Sequence, residues 1–408
     1  MDSNTARPVP PANTGSVIKN LISNISFRTL QFQRRFDPLL RPAFDALLRD
    51  RVARWTTALI NRRRKDEGLK LAEERLLPGE EEFVDSIIAT FRQQTSQLWR
   101  PKGFERGGNT KTHGIVRAEF TVHEGLPPQF RHGVFAEPRT FRAWVRFAGP
   151  GPYITPDIDD VGFMSIAIKL LGVPGPKLMD EEQHTQDFFG VSTATFVTPD
   201  VDANAQLQRE SLKNATFFYF FNFHRSHILD AVMQGLYTKT QSSPFEAPYF
   251  SCVPYLLGEG QAMQYSVWPK VKTRTRIPRL PFRPPDNYLR QAMAGALASG
   301  DVELDFRIQL QTDPFLMPLE NNAVLWPERL SPRVSVATLR IPKQKFDSPA
   351  QIEFEKRLSY NPWHCMPEHR PLGNQSRARK KMYFELSRMR HRMNAIPHYE
   401  PTGDEQFD

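Results

Sequence analysis

An α+β architecture, with helices gathered around an antiparallel sheet or barrel, is predicted for this sequence by three observations. The first is two groups of β-rich runs, at 114–124, 140–147 and 164–172 and again at 264–273, 302–311 and 334–341. Each alternates apolar and polar residues in part and stops close to glycine or proline, the period-2 pattern of half-buried strands. The second is a Phe-rich, helical block over residues 203–237 that separates the groups. Strands that come in runs with helices between them pack as an antiparallel sheet or barrel, not as alternating parallel units. The third is the distribution of the 35 prolines, which cluster between the hydrophobic runs. That placement favours long, defined loops over a helical bundle.

In chain order, residues 1–15 are polar and proline-rich and read as a disordered tail. Residues 16–77 form a basic, amphipathic helical extension. Val17, Ile18, Leu21, Ile22 and Ile25 recur at helical spacing, as do Phe44, Leu47, Leu48, Val52, Trp55 and Leu59, and Pro38 and Pro42 divide the two sets. Two readings stay open for residues 16–60. The helices pack on the main domain or another subunit, or they make a peripheral contact with an anionic membrane surface through anchors such as Phe44 and Trp55. A charged linker over 62–70 leads to the main domain, residues 78–395, whose first helix starts at Pro78-Gly-Glu-Glu-Glu and runs to about Leu98. Further helices are expected over 285–298 and 374–394, and residues 396–408 read as a C-terminal tail.

With 408 residues and 39% hydrophobic content, the chain can bury a large core. Its net charge of +9 is local, because residues 1–65 hold eleven Arg and two Lys against four Asp and no Glu. The main body is therefore neutral overall, which argues against nucleic-acid binding. Two distant cysteines, Cys252 and Cys365, make no disulfide framework and suit a reducing, intracellular and cytoplasmic setting. The start lacks the pattern of a secretory signal, no apolar run is long enough to span a bilayer, and the last three residues are not the peroxisomal tripeptide.

Four places could carry chemistry. On the helix 374–394, Arg379, Tyr383 and Arg390 fall on one face at i, i+4 and i+11. A buried tyrosine between two guanidiniums favours the phenolate, which can serve as an axial ligand of ferric haem. The alternative is a basic surface helix whose tyrosine packs on the core. In Lys111-Thr-His-Gly, His113 is suited to move a proton between the two oxygens of a peroxide, or it is structural. Arg146, in Ala143-Trp-Val-Arg-Phe147, shares a strand face with Trp144 and, if shielded, needs a propionate or carboxylate. His364, Cys365 and His369 could be metal ligands, but zinc needs four ligands, or three and water, and no second cluster is evident.

Lys111-Thr-His-Gly followed by Arg117-Ala-Glu-Phe-Thr-Val, then Ala143-Trp-Val-Arg-Phe, Ile166-Ala-Ile-Lys-Leu-Leu-Gly-Val, Thr185-Gln-Asp-Phe and Arg379-Lys-Lys-Met-Tyr383, resembles the catalase-like haem protein family. Within it, the shorter catalase-related peroxidases and hydroperoxide-processing members are most similar, and order and spacing match over residues 80–395. The resemblance implies a closed antiparallel barrel with surrounding helices, and haem b between barrel and helices. It makes Tyr383 the proximal ligand of the ferric iron, with Arg379 hydrogen-bonded to it. His113 becomes the distal base, and Arg146 and Arg390 pair with the haem propionates. Two positions depart from a true catalase. Ser192 stands where the family has a distal asparagine, and Thr112 where catalases carry valine and the allene-oxide-synthase branch carries threonine. A hydroxyl is shorter than an amide, and one beside the imidazole can bond to it. Both changes weigh against fast hydrogen-peroxide dismutation. The expected function is a haem-dependent peroxidase, lyase or isomerase of organic or fatty-acid hydroperoxides, with His113, Thr112 and Ser192 shaping the chemistry. The alternatives are a low-activity hydrogen-peroxide catalase and a non-enzymatic haem- or membrane-binding protein on that scaffold. A homo-oligomer is also open, and the run Phe217–Phe223 either lines an apolar channel or packs in the core.

Overall fold

Nine antiparallel strands form one sheet in a computed structural model that describes residues 17–65, 68–222 and 224–407. The segment expected to be disordered, residues 1–15, lies outside the described residues. In chain order the strands are β1 (Thr112–Val122), β2 (Thr140–Ala148), β3 (Ser165–Leu171), β4 (Thr185–Val191), β5 (Tyr249–Phe250), β6 (Tyr255–Leu256), β7 (Ala262–Pro269), β8 (Val302–Leu310) and β9 (Val334–Ile341). Their spatial order is β5-β4-β3-β2-β1-β9-β8-β7-β6, and a β5–β7 pairing closes eight of them into a barrel with β6 appended. Closure leaves no exposed edge on the ring.

Alternation decides what lies inside. Val116, Ala118 and Phe120 of β1 point inward with Phe141, Ala143, Val145 and Phe147 of β2, all in the main core. Phe120, Phe188, Phe306 and Tyr265 meet at ring separations of 5.1–6.2 Å, three pairs edge-on and two stacked. Such geometry adds to area burial. The outer face of β1–β4 is mixed. Ile115, Arg146, Ala167 and Phe189 lie in one row across it, and Arg117, Trp144, Lys169 and Asp187 in the next. Trp144 and Arg146 do share a face, as their spacing requires.

Ten helices of the described residues surround the barrel. α1 (Val17–Arg34), α2 (Asp37–Phe44) and α3 (Asp50–Arg63), the last two joined by a π-helical turn, precede α4 (Glu80–Leu98). α5 (Val201–Leu212), α6 (Phe217–Phe220) and α7 (Ile228–Tyr237) fall between the two groups of strands. α8 (Tyr288–Ser299), α9 (Pro349–Arg357) and α10 (Asn374–Asn394) complete the set. α4 packs on α5 and α10 through Val84, Ile87, Ile88, Val201 and Ala378. α10 starts after Gly373, at φ +83°, where an added Cβ would collide with the Leu319 carbonyl. A left-handed residue in that close contact has to be glycine.

In the Phe-rich run Tyr219 is buried, and Phe218 sits beside α1, with Lys19 Nζ 5.4 Å over its ring. One expectation needs correcting: residues 396–407 do not trail away as a tail. Arg117 donates to the Gly403 carbonyl at 2.9 Å, Trp144 Nε1 donates to Glu405 at 3.1 Å, and Phe407 packs on Trp144 and Phe354. The apolar outer face around Trp144 must be covered, and this segment covers it.

Candidate active site

β1 begins with a bulge. Thr112 pairs with Ala148 and Gly114 with Phe147, consecutive residues of β2, so His113 is the extra residue. A bulge frees a side chain from the alternation and re-aims it. Gly114 is required there because a Cβ would run into Phe346 of the core. His113 is 1% exposed, and neither ring nitrogen has a hydrogen-bond partner among the described residues. Nδ1 faces Asp157 Oδ1 at 3.7 Å, too far for a bond, and that carboxylate is held by Lys111 Nζ at 2.6 Å and the Leu289 N–H at 2.8 Å. Nε2 lies toward Gly149, where a Cβ would come within 3.4 Å of it. Arg290 of α8 donates to the carbonyls of Thr112 and His113 at 2.6 and 3.0 Å, which fixes the bulge. Burial, with the positive charges of Lys111, Arg290 and Arg146, pushes the imidazole well below its ordinary pKa. At neutral pH it is an uncharged ring with an open lone pair.

Thr112 does not bond this ring. Its Oγ1 accepts from Arg146 Nη2 at 2.7 Å, because the bulge sends adjacent side chains different ways. Ser192, just past β4, is buried. Its Oγ accepts from the Met164 N–H at 2.9 Å and its N–H donates to the Met164 carbonyl at 2.8 Å. It closes the same barrel end as the bulge, since Thr112, Ala148, Ser165 and Val191 lie in one row. Its hydroxyl proton remains available.

The arginines gather around a residue that sequence reasoning missed. Glu355 of α9 is buried and accepts from Arg146 Nε and from Arg106 Nε at 3.0 Å, while Arg106 also donates to the Glu355 and Leu358 carbonyls. Arg390 of α10 donates to the carbonyls of Lys356 and Leu358 and meets His391 at 3.0 Å. Burial alone would raise the Glu355 carboxyl, but Arg146, Arg106 and Arg390 outweigh it and hold the group at about 2. Arg146 and Arg390 therefore already lie about an internal carboxylate and backbone carbonyls. Three guanidiniums surround one carboxylate, and with the neighbouring Lys356 held by Glu353 at 3.2 Å and Glu105 at 3.8 Å the cluster keeps a net positive charge.

Tyr383 of α10 is half-buried. Its ring stands edge-on to Phe189 of β4 at 5.7 Å, and its hydroxyl makes no hydrogen bond with a described residue. Phe189 shares its row with Ala167, Arg146 and Ile115, and Ile115 is two residues from His113. Arg379, one turn earlier on α10, is buried with its guanidinium 5.0 Å over the Phe196 ring, and it forms no bond to Tyr383. It has no carboxylate partner among the described residues.

His364, Cys365 and His369 do not form a metal group. His364 joins a buried network with Asp187 at 3.1 Å and Glu181 and Glu182 at 3.3 Å, while His369 Nε2 accepts from the Val134 N–H at 3.0 Å and packs on Phe135. Glu182, Asp187 and His364 are close enough to chelate an ion. Lys169 Nζ, fully buried, already bonds Glu182 and lies 2.8 Å from Asp187, so an ammonium supplies the charge that a metal would.

These histidines give stability a defined pH dependence. Burial pushes His369 down to about 4, and His113 is lowered as well. Both bind a proton in the unfolded chain below about pH 6.5 but not when folded. Acidification from there to pH 4 therefore destabilises the fold, by on the order of 3 kcal/mol for His369 at 1.36 kcal/mol per unit. His364 behaves oppositely. Burial would lower it, but Glu182, Asp187 and Glu181 raise it to about 9, so its contribution is full below pH 6.5 and is lost as pH rises through 9. Denaturant midpoints measured from pH 4 to pH 9.5 are expected to peak near pH 6.5, and a curve that climbs steadily to pH 9 would contradict the assignment.

No protein-family model and no curated protein matches the sequence. Solved structures do. A fungal catalase is 16% identical with a TM-score of 0.55, covering 85% of this chain and 70% of its own. Catalase A from Saccharomyces cerevisiae is 14% identical with a TM-score of 0.55 over 85% and 72%. A bacterial catalase is 15% identical with a TM-score of 0.54 over 80% and 63%. The closed antiparallel barrel with its surrounding helices is thus a catalase-like fold.

Proposed function

We propose that this chain is a haem-dependent oxidoreductase acting on peroxides, and that organic hydroperoxides are its substrates. The observation that carries the reading is a pair of polar groups along one barrel wall without hydrogen-bond partners among the described residues: the half-buried Tyr383 hydroxyl against Phe189, and the buried His113 ring two residues beyond Ile115. The residues present fit a ferric haem. The phenol has no hydrogen-bond partner among the described residues, Arg379 one turn away is not tied to a carboxylate, and the net positive charge around Glu355 suits anionic groups such as propionates. Tyr383 and Arg379 would hold its proximal side, and Arg106, Arg146 and Arg390 its acidic edge.

When bound, the haem supplies the iron centre that cleaves the O–O bond. The chain's own residues handle position and protons. His113 Nε2, beside Gly149, neutral and without a hydrogen-bond partner among the described residues, takes the hydroperoxide proton and returns it to the leaving oxygen. A low proton affinity suits a group that passes the proton on instead of keeping it. Asp157 and Lys111 stand on the Nδ1 side and set the local charge. Ser192 offers one hydroxyl proton where an amide would reach further, a weaker clamp on a small symmetric peroxide. That difference favours a substrate positioned through an organic substituent.

The test is the visible spectrum of the purified chain given haem, followed by turnover of cumene hydroperoxide and of hydrogen peroxide. A high-spin ferric tyrosinate spectrum and turnover of the organic substrate are expected. Oxygen evolution at the rate of ordinary catalases would overturn the substrate class, and failure to retain haem would overturn the enzymatic reading.

A further inference from the structure

α1 is mounted with its polar side inward. At 100° per residue, Val17, Ile18, Leu21, Ile22, Ile25 and Phe32 span an arc of about 140°, and all are exposed, Val17 at 76% and Phe32 at 65%. The opposite side meets the domain. There Asn20, Ser23 and Arg34 are buried, Arg34 pairs with Asp160 at 3.0 Å, and Gln31 donates to the Asp159 carbonyl. Arg35 adds an ion pair to Asp159 at 3.0 Å and donates to the Pro281 and Phe282 carbonyls at 3.1 Å. A surface helix of a globular domain does the reverse, burying its apolar stripe. The pattern continues in the next two helices and the π-helical turn between them, where Leu39, Leu40, Leu47 and Trp55 are exposed although α3 also buries Ala53 and Ile60 against α7.

The exposed charge around these residues is predominantly positive. Lys19, Arg28, Arg51, Arg54, Arg62 and Arg63 are exposed, and among described residues 17–65 the only exposed acid is Asp50. Asp37 and Asp45 are occupied by Thr240 and Lys239. A two-fold contact between copies would press this positive surface against itself, which like charges oppose. No helix of the described residues is long and apolar enough to cross a membrane. A face that is apolar and cationic, with a tryptophan among its exposed residues, instead suits the boundary between acyl chains and anionic head groups.

We infer that α1 to α3 form a docking surface for an anionic lipid bilayer, with α1 lying in the plane of the interface and its polar side gripping the barrel domain. The grip is at residues 159 and 160, close to Asp157, the carboxylate that faces His113. Docking therefore places the bilayer on the side of the domain where Asp157 lies. The inference stands on the orientation of the helix and does not depend on haem or on turnover.

Co-sedimentation of the full chain with vesicles of phosphatidylcholine alone, or with added phosphatidylserine, tests it. Partition onto the anionic vesicles is expected to be at least about tenfold higher and to fall with added salt. The triple substitution Ile18→Glu, Leu21→Glu, Ile25→Glu and the pair Arg51→Glu, Arg54→Glu should each lower it by about tenfold or more. All five positions are solvent-exposed, so unchanged thermal melting will show that the variants remain folded. Equal binding to both vesicle types, or binding to neither, overturns the inference. So does a wild-type dimer in light scattering that the triple substitution converts to monomer, since a second copy would then be the occupant.

Discussion

Tyr383→Phe is expected to abolish hydroperoxide turnover and the ferric tyrosinate spectrum while leaving the fold intact. The hydroxyl makes no hydrogen bond with a described residue, and the ring keeps its edge-on contact with Phe189 in the variant. Removing an oxygen that bonds no described residue should cost stability no more than about 0.5 kcal/mol. Its effect on the cofactor is of another size. Partners that merely orient a metal ligand are worth about 10–100-fold in affinity or activity, so loss of the ligand itself should exceed that range. Absorption titration with haem, read beside thermal melting, separates the two quantities. A variant that melts normally and keeps the parent spectrum and turnover would return α10 to the plainer reading, a basic helix packed on the barrel.

Glu355→Ala carries the largest expected stability loss, about 3–5 kcal/mol. The carboxylate is buried and answers Arg146 and Arg106 directly, with Arg390 close by. Without it, guanidiniums that are themselves buried face one another unscreened. Urea unfolding of the haem-free variant measures the loss. A decrease below about 1 kcal/mol would mean that the arginines find other partners at little cost. Adding haem should recover part of the loss, because its propionates would supply negative charge to the same cluster, and the parent should gain less from haem than the variant does. The carboxyl's own pH dependence has a fixed sign. It is held at about 2 in the fold, so its contribution is full above the ordinary carboxyl range and disappears as pH falls through 2.

Much of the barrel was legible because a strand with one buried face must alternate. The runs at 114–124, 140–147, 302–311 and 334–341 correspond to β1, β2, β8 and β9. α10 runs over the expected residues, with Gly373 and Pro397 outside its ends. Two-residue strands such as β5 and β6 have no period to detect, yet β5 closes the ring. Glu355 was invisible for a different reason. In Gln351-Ile-Glu-Phe-Glu-Lys it reads as a charge on a surface helix, and its burial is decided by Arg146, 209 residues away. A trace was available, since a shielded Arg146 requires a carboxylate or propionate, but nothing local says which acid answers. The bulge at His113 was equally hidden, and it is what turns Thr112 toward Arg146 and leaves the imidazole unpartnered.

The sequence by itself determined the segments, their periods and the residue types capable of proton transfer and anion binding, since these depend on neighbours within one or two turns or a few strand positions. Tertiary structure decided the rest. It set which carboxylate neutralises which arginines, and which side of α1 faces water. Those outcomes are balances between burial and charge compensation across distant parts of the chain. A helical period tells where an apolar stripe lies on α1, but only the ion pairs to Asp159 and Asp160 decide that the stripe points outward.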